Sequence, residues 1–158
     1  MLKKHIKIDR DSMELISLFN NISGAIIKDC FIFKSPEDGT EVIIYLVKEE
    51  DVGKAIGKAG EHVKDLKLKL QKKIDIIAFS EDLNQFIKNI LQTTKNSIMV
   101  IDIETKESRN QKKTVIITVR PQDRGKAIGK DGSMIRKIKE LVLRYFEVDN
   151  VIINTKNI

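Results

Sequence analysis

Two octapeptides in this chain place glycine and lysine at a spacing suited to holding a phosphate. Gly53-Lys54-Ala55-Ile56-Gly57-Lys58-Ala59-Gly60 and Gly125-Lys126-Ala127-Ile128-Gly129-Lys130-Asp131-Gly132 lie 72 residues apart and differ only at Ala59 versus Asp131. Glycine has no Cβ, so a loop bounded by Gly57 and Gly60, or by Gly129 and Gly132, lets another backbone come within touching distance. Lys58 and Lys130 stand inside those loops, where an ammonium adds a charged contact to an anion. A helix starting at the second glycine would aim its unpaired N–H groups and the positive end of its dipole at the same spot. The nucleotide-hydrolysing P-loop does not fit. Its pattern G-x-x-x-x-G-K-[ST] puts one more residue between the glycines and a hydroxyl after the lysine, where this chain has Ala59. The Gly53/Gly57 pair sits in no long apolar span, which excludes a membrane-helix pairing motif.

Other chemistry is poorly supplied. Cys30 is the only cysteine, and His5 and His62 are far apart, so neither a disulfide framework nor a His/Cys zinc site can be assembled within one chain. No nucleophile, base and orienting acid come together in the sequence, and no carboxylate cluster suits a metal. We expect no catalytic residues, no metal and no cofactor. Cys30 reads as a small core residue, and His62 as a solvated side chain at a helix start that is also near enough to the loop to touch a ligand.

The net charge is +6, and its distribution matters more than its size. Residues 53–73 hold seven basic side chains (Lys54, Lys58, Lys64, Lys67, Lys69, Lys72, Lys73) against Glu61 and Asp65, a net of +5. Residues 124–145 repeat the count, with Arg124, Lys126, Lys130, Arg136, Lys137, Lys139 and Arg144 against Asp131 and Glu140. Together the two segments carry +10, which leaves −4 for the rest of the chain. Positive charge confined to two segments is the footprint of polyanion binding rather than of general solubility.

The elements that must position these loops follow from periodicity, and they repeat. Val47 and Asp51 match Val119 and Asp123 upstream of the glycines. Val63, Leu66, Leu70 and Ile74 match Ile135, Ile138, Val142 and Phe146 downstream, and are expected to form the apolar stripe of a helix. Lys54, Lys58, Lys64, Lys67 and Lys72 match Lys126, Lys130, Arg136, Lys139 and Arg144. Each unit opens with an amphipathic helix, Leu15 to Ile22 or Leu83 to Leu91, the first started by an Asp11/Glu14 capping box and stopped by Gly24. Two strands follow, Ala25 to Phe33 and Glu41 to Val47, or Ser97 to Glu104 and Thr114 to Val119. Ser35-Pro36-Glu37-Asp38-Gly39 and the polar loop from Lys106 to Lys113 join them. A short helix, the glycine loop, a second helix and a closing strand (Asp75 to Phe79, or Val148 to Ile153) complete the order α-β-β-α-α-β.

With this order in place, Ile56-Gly57-Lys58-Ala59-Gly60-Glu61-His62-Val63 and Ile128-Gly129-Lys130-Asp131-Gly132-Ser133-Met134-Ile135 resemble the I-G-x-x-G-x-x-[IV] signature of the KH domain in its prokaryotic, type II, form. Two such units and little else are similar to the short archaeal branch of the NusA transcription termination/antitermination family. The bacterial members carry a polymerase-binding N-terminal domain and an OB-fold domain for which this chain has no room. Asp131 departs from the family pattern, which has a basic, small or neutral residue there.

The resemblance implies an α+β fold of two tandem type II KH domains, residues 1–79 and 80–158, each with a three-stranded sheet. Ser80-Glu81-Asp82 starts the second unit as a helix cap, and no Gly/Ser or Pro-rich linker intervenes, which suits a rigid tandem. The implied activity is non-enzymatic binding of single-stranded RNA, about four nucleotides per groove, read by base edges and apolar contact. The aromatic content of 5% and the absence of Trp argue against a stacking platform. The implied contacts are Lys54, Ile56, Gly57, Lys58, Ala59, Gly60, Lys64 and Lys67 in the first unit. In the second they are Lys126, Ile128, Gly129, Lys130, Asp131, Gly132, Arg136 and Lys139. Lys69 and Lys73, unmatched at 141 and 145, read as solvated charge. Nascent RNA would be the partner, with RNA polymerase as a second one, in a monomeric cytoplasmic protein without a membrane segment. The alternative within the same motifs is a ribosome-associated or rRNA-processing KH protein.

Overall fold

The computed structural model describes residues 1–35, 38–92 and 98–157. Pro36, Glu37 and Ser97, on which part of a turn and the start of a strand were expected, lie outside the described residues. The chain divides into two compact units, Lys7–Ser80 and Glu81–Ile158, the latter joined by Met1–Ile6. The expected boundary assigned those six residues to the first unit. Their backbone bonds go elsewhere: Lys3 N–H donates to Tyr145 O (2.8 Å), Glu147 N–H donates to Met1 O, and Leu2 bridges antiparallel to Phe146.

The first unit runs α1 (Arg10–Ser23), β1 (Ile27–Lys34), β2 (Glu41–Lys48), α2 (Val52–Ile56), α3 (Glu61–Leu70) and β3 (Lys73–Phe79). The second repeats it with α4 (Leu83–Leu91), β4 (Val100–Glu107), β5 (Lys113–Val119), α5 (Arg124–Ile128), α6 (Ser133–Tyr145) and β6 (Asn150–Thr155). Each unit has a three-stranded mixed sheet, ordered β1-β2-β3 or β4-β5-β6. The first pair in each sheet is an antiparallel hairpin and the second pair is parallel. A parallel pair needs a crossover, and the crossover is where α2 or α5, the glycine loop, and α3 or α6 are built. This is the α+β architecture expected.

Local differences have local causes. The N-cap of α1 is Asp9, whose Oδ1 accepts the Ser12 N–H at 2.8 Å, so Asp11 falls inside the first turn instead of capping it. Gly24 closes α1 in the left-handed conformation (φ 73°), as its sequence position indicates. Gln71, also left-handed (φ 56°), returns its N–H to Lys67 O and ends α3. Ile74 therefore belongs to β3 and not to the helical stripe, although it still faces the core. Phe146 likewise sits just past α6, fully buried.

The core of the first unit gathers Phe19, Ile27, Cys30, Ile43, Tyr45, Val47, Ala55, Leu66 and Ile74. Phe19 meets Tyr45 edge to face at 4.8 Å. The Tyr45 hydroxyl donates to Leu15 O at 2.9 Å, and burial pushes its phenol far above the ordinary value, so it stays a donor. In the second unit Phe86 contacts Tyr145 and Phe146 at 5.7 and 5.8 Å. Ala55 and Ala127, the small residues of α2 and α5, are both fully buried. That burial fixes each five-residue helix, too short to be stable alone, against its sheet.

Candidate nucleic-acid interface

The two glycine loops adopt one conformation. Gly57 and Gly129 have φ/ψ of 80/170° and 77/171°, a region open essentially to glycine alone. Ala59 and Asp131 are left-handed at 56/25° and 51/31°, as are Gly60 and Gly132 at 72/21° and 77/15°. Gly60 N–H bonds Gly57 O at 3.1 Å, and Gly132 N–H bonds Gly129 O at 3.2 Å. The glycines of each pair have different reasons to be glycine. A Cβ on Gly57 would lie 2.6 Å from His62 Nδ1, and one on Gly129 would lie 2.7 Å from Met134 N, so the protein itself fills the space beside the first glycine. A Cβ on Gly60 would meet nothing within 4 Å, and on Gly132 only Ile135 Cγ2 at 3.9 Å. The open face where another backbone can approach is therefore at the second glycine. α3 and α6 start directly after it, with Gly60 and Gly132 as N-caps that supply no side-chain bond. The first N–H of each helix is taken up within the loop, Glu61 N–H bonding Lys58 O and Ser133 N–H bonding Lys130 O, and no side-chain cap covers either helix start.

Around each loop the sequence-derived residues fall into distinct sets. Lys58, Ala59, Lys130 and Asp131 are exposed at the tips, and Ile56 is 38% exposed at the entrance to the first loop. Ile128 is half-buried at the matching place. Lys64 and Lys67 on α3, and Arg136 and Lys139 on α6, project into solvent, Arg136 lying 3.8 Å from Glu140. Lys69 pairs with Asp65 at 3.1 Å. Lys137, counted in the basic segment, is buried and stands apart from that face. Lys54 turns toward the end of α1, its Cε 3.3 Å from where a Gly24 Cβ would be, and Lys126 lies 4.0 Å from Asp123 Oδ1. Both lysines thus point to the base of the short helix. α2 and α3 lie against β3, and α5 and α6 against β6. Both strands end their sheets with no further strand among the described residues. Each unit thus places its glycine loop and basic helix beside the last strand of its sheet.

Two pairs of contacts that hold the loops were not assigned from sequence. Asp51 Oδ2 accepts the Ile26 N–H at 2.7 Å, and Asp123 Oδ2 accepts the Met99 N–H at 3.0 Å, joining the start of each short helix to the start of the first strand. Asp123 is buried and also accepts from Arg120 Nε at 2.8 Å. The Arg120 hydrogen bond, then the Met99 N–H, hold its carboxyl below the usual carboxylate range. The repeat aligned these aspartates, and only their partners 25 and 24 residues away were invisible. Within the first loop, His62 Nδ1 lies 2.8 Å from Lys54 O. No group of His, Cys, Asp and Glu among the described residues is arranged to hold a metal ion.

Comparison with known proteins agrees with this geometry. The KH domain family matches residues 15–81 and 82–158. The chain is 39% identical over 146 residues to the probable transcription termination protein NusA of Methanococcus vannielii, spanning 92% of this chain and 78% of that one. It is 28% identical over 151 residues to the protein of the same name from Thermoplasma acidophilum, spanning 96% and 97%. The crystal structure of APE1850 superposes with a TM-score of 0.78 at 30% identity, over 93% of this chain and all of that one. Two glycine loops of one geometry, each between paired helices on a three-stranded sheet, and relatives matched over 78% and 97% of their length lead to one assignment: the chain belongs to the KH domain family, as an archaeal NusA-like protein.

Proposed function

We propose that this protein binds single-stranded RNA through its two glycine loops and takes part in transcription termination or antitermination, as a binding factor and not as an enzyme. The observation that carries the reading is the open face at Gly60 and Gly132, beside helix starts without a side-chain cap and exposed lysines, in duplicate. A sugar-phosphate backbone entering there would meet the positive end of a helix and a cation at close range, with its bases beside the last strand of the sheet. The set Lys58, Ala59, Gly60, Lys64 and Lys67 would serve the first site, and Lys130, Asp131, Gly132, Arg136 and Lys139 the second. Gly57 and Gly129 shape the loops, the exposed Ile56 and the half-buried Ile128 flank them, and Lys54 and Lys126 act from the base of the short helix. The partner is nascent RNA beside RNA polymerase in the cytoplasm, and one copy of the chain carries both sites.

The test is a titration of single-stranded RNA at several salt concentrations. Binding should weaken linearly on a log-log plot, with a slope of about −0.7 per neutralised phosphate. Lys58→Gln and Lys64→Gln should each make the slope shallower by about 0.7 and weaken all sequences alike. Affinity that is flat in salt would refute the electrostatic track. Co-purification with ribosomal subunits in place of polymerase would favour the rRNA-linked alternative.

A further inference from the structure

The two loops share one backbone conformation but are held differently. In the first unit, Lys54 O belongs to the last turn of α2, where carbonyls run out of intrahelical partners. His62 Nδ1 reaches it at 2.8 Å across the loop. A carbonyl only accepts, so Nδ1 carries the hydrogen and the ring is held in that orientation. The ring then lies in the space that a Gly57 side chain would occupy. Its Nε2 is left facing outward, 3.7 Å from Glu61 Oε1, with the side chain 27% exposed. One side chain thus ties the end of α2 to the first turn of α3 and closes the loop from behind. In the second unit the matching residue is Met134, whose thioether has no hydrogen to donate. There the atoms nearest to a Cβ on Gly129 are the Met134 backbone N and Cβ and the Ser133 Oγ.

We infer that His62 is a positioning residue for RNA binding by the first glycine loop. Its Nδ1–H bond to Lys54 O preorganises the turn between Gly57 and Gly60, a brace that Met134 cannot supply to the second loop. The inference rests on the RNA-binding reading above. A loop already held in its bound shape loses less freedom when RNA arrives, so the brace appears as affinity. The two loops are then unequal for a reason separate from the Ala59/Asp131 difference.

The experiment uses the full chain with Lys130→Asp as background, which places two carboxylates in the second loop and leaves the first loop to bind. Fluorescently labelled oligo(U) and a mixed-sequence RNA are titrated against His62, His62→Met, His62→Asn and His62→Gln. Thermal unfolding of each variant is recorded alongside. The Asn side-chain amide puts an N–H close to the position of Nδ1, whereas Gln puts one near Nε2. We expect His62→Met and His62→Gln to weaken binding roughly two- to tenfold, the worth of one hydrogen bond. His62→Asn should restore most of the loss, with all four proteins folded cooperatively. Binding by His62→Met equal to that of His62, or an Asn variant as weak as Met, overturns the inference. If the background protein and the parent both fail to bind RNA while folded, the RNA-binding reading itself falls and the inference falls with it. If only the background protein fails, the first loop does not bind alone, which also overturns it.

Discussion

Ala59 sits in the left-handed region at φ 56°, where an L side chain crowds its own carbonyl, and Asp131 sits there at φ 51°. Aspartate tolerates that region better than alanine because its short polar side chain bonds locally. The two residues therefore trade stability against binding, which their exposure alone does not reveal. Ala59→Asp should leave thermal stability equal or slightly higher and weaken RNA binding by about 1 kcal/mol, roughly fivefold, by placing a carboxylate near a phosphate. Asp131→Ala should improve binding by a similar factor and lower the melting temperature slightly. RNA titration and calorimetry on the same two variants check both signs. The glycines separate in the same way. Gly57→Ala enters a glycine-only region and strikes the His62 ring, so it should cost about 2–3 kcal/mol in denaturant unfolding. Gly60→Ala, with open space and a left-handed φ, should cost about 1 kcal/mol.

At the scale of elements, α2 and α5 are five-residue helices whose placement depends on ties at their ends. Asp123 is the stronger tie, buried and accepting from both Met99 N and Arg120 Nε. Asp123→Ala strands these donors and should lower the melting temperature of the second unit by several degrees and weaken RNA binding there. Asp123→Asn keeps an acceptor for Met99 N–H and should lose less. Because the folded carboxyl titrates below its unfolded value, its contribution is complete above about pH 4 and is lost as pH falls through the folded value. Acid unfolding of the second unit, followed by hydrogen exchange below pH 4, should thus become less steep in Asp123→Asn. Asp51 makes the corresponding bond to Ile26 from a half-buried position. Its replacement should have the milder effect.

For the molecule as a whole, the chain begins on the unit that it finishes last. Lys3 Nζ donates to Leu143 O at 2.6 Å and Lys3 N–H donates to Tyr145 O, so the opening residues satisfy carbonyls at the end of α6, where a cation also suits the helix dipole. Deleting residues 1–6 should raise amide exchange at the end of α6 and the start of β6 and lower second-unit stability by about 1–3 kcal/mol. The first-unit core around Phe19, Tyr45 and Leu66 should keep its protection. Exchange measured by mass spectrometry on the shortened and full chains distinguishes these outcomes. Equal loss in both units would contradict the division of the chain described above.

Much of this was legible without coordinates because it is written in local spacing. The duplicated octapeptides, the helix stripes at 63, 66 and 70, Gly24 as a stop and the β-branched runs each depend on neighbours a few residues away, so the α+β order and both glycine loops could be read directly. The family resemblance then supplied the fold type that periodicity alone leaves open. What required the tertiary structure was every contact between residues distant in the chain. Asp51 and Asp123 showed up as aligned acids, but their acceptance of Ile26 and Met99 N–H groups follows from how the sheet folds back. Ile74 fitted the helical spacing, yet the left-handed Gln71 moved it into β3. Met1–Ile6 carry no pattern that points to α6, since a bridge of one residue pair is decided by which backbone groups remain unpaired once the second unit has formed.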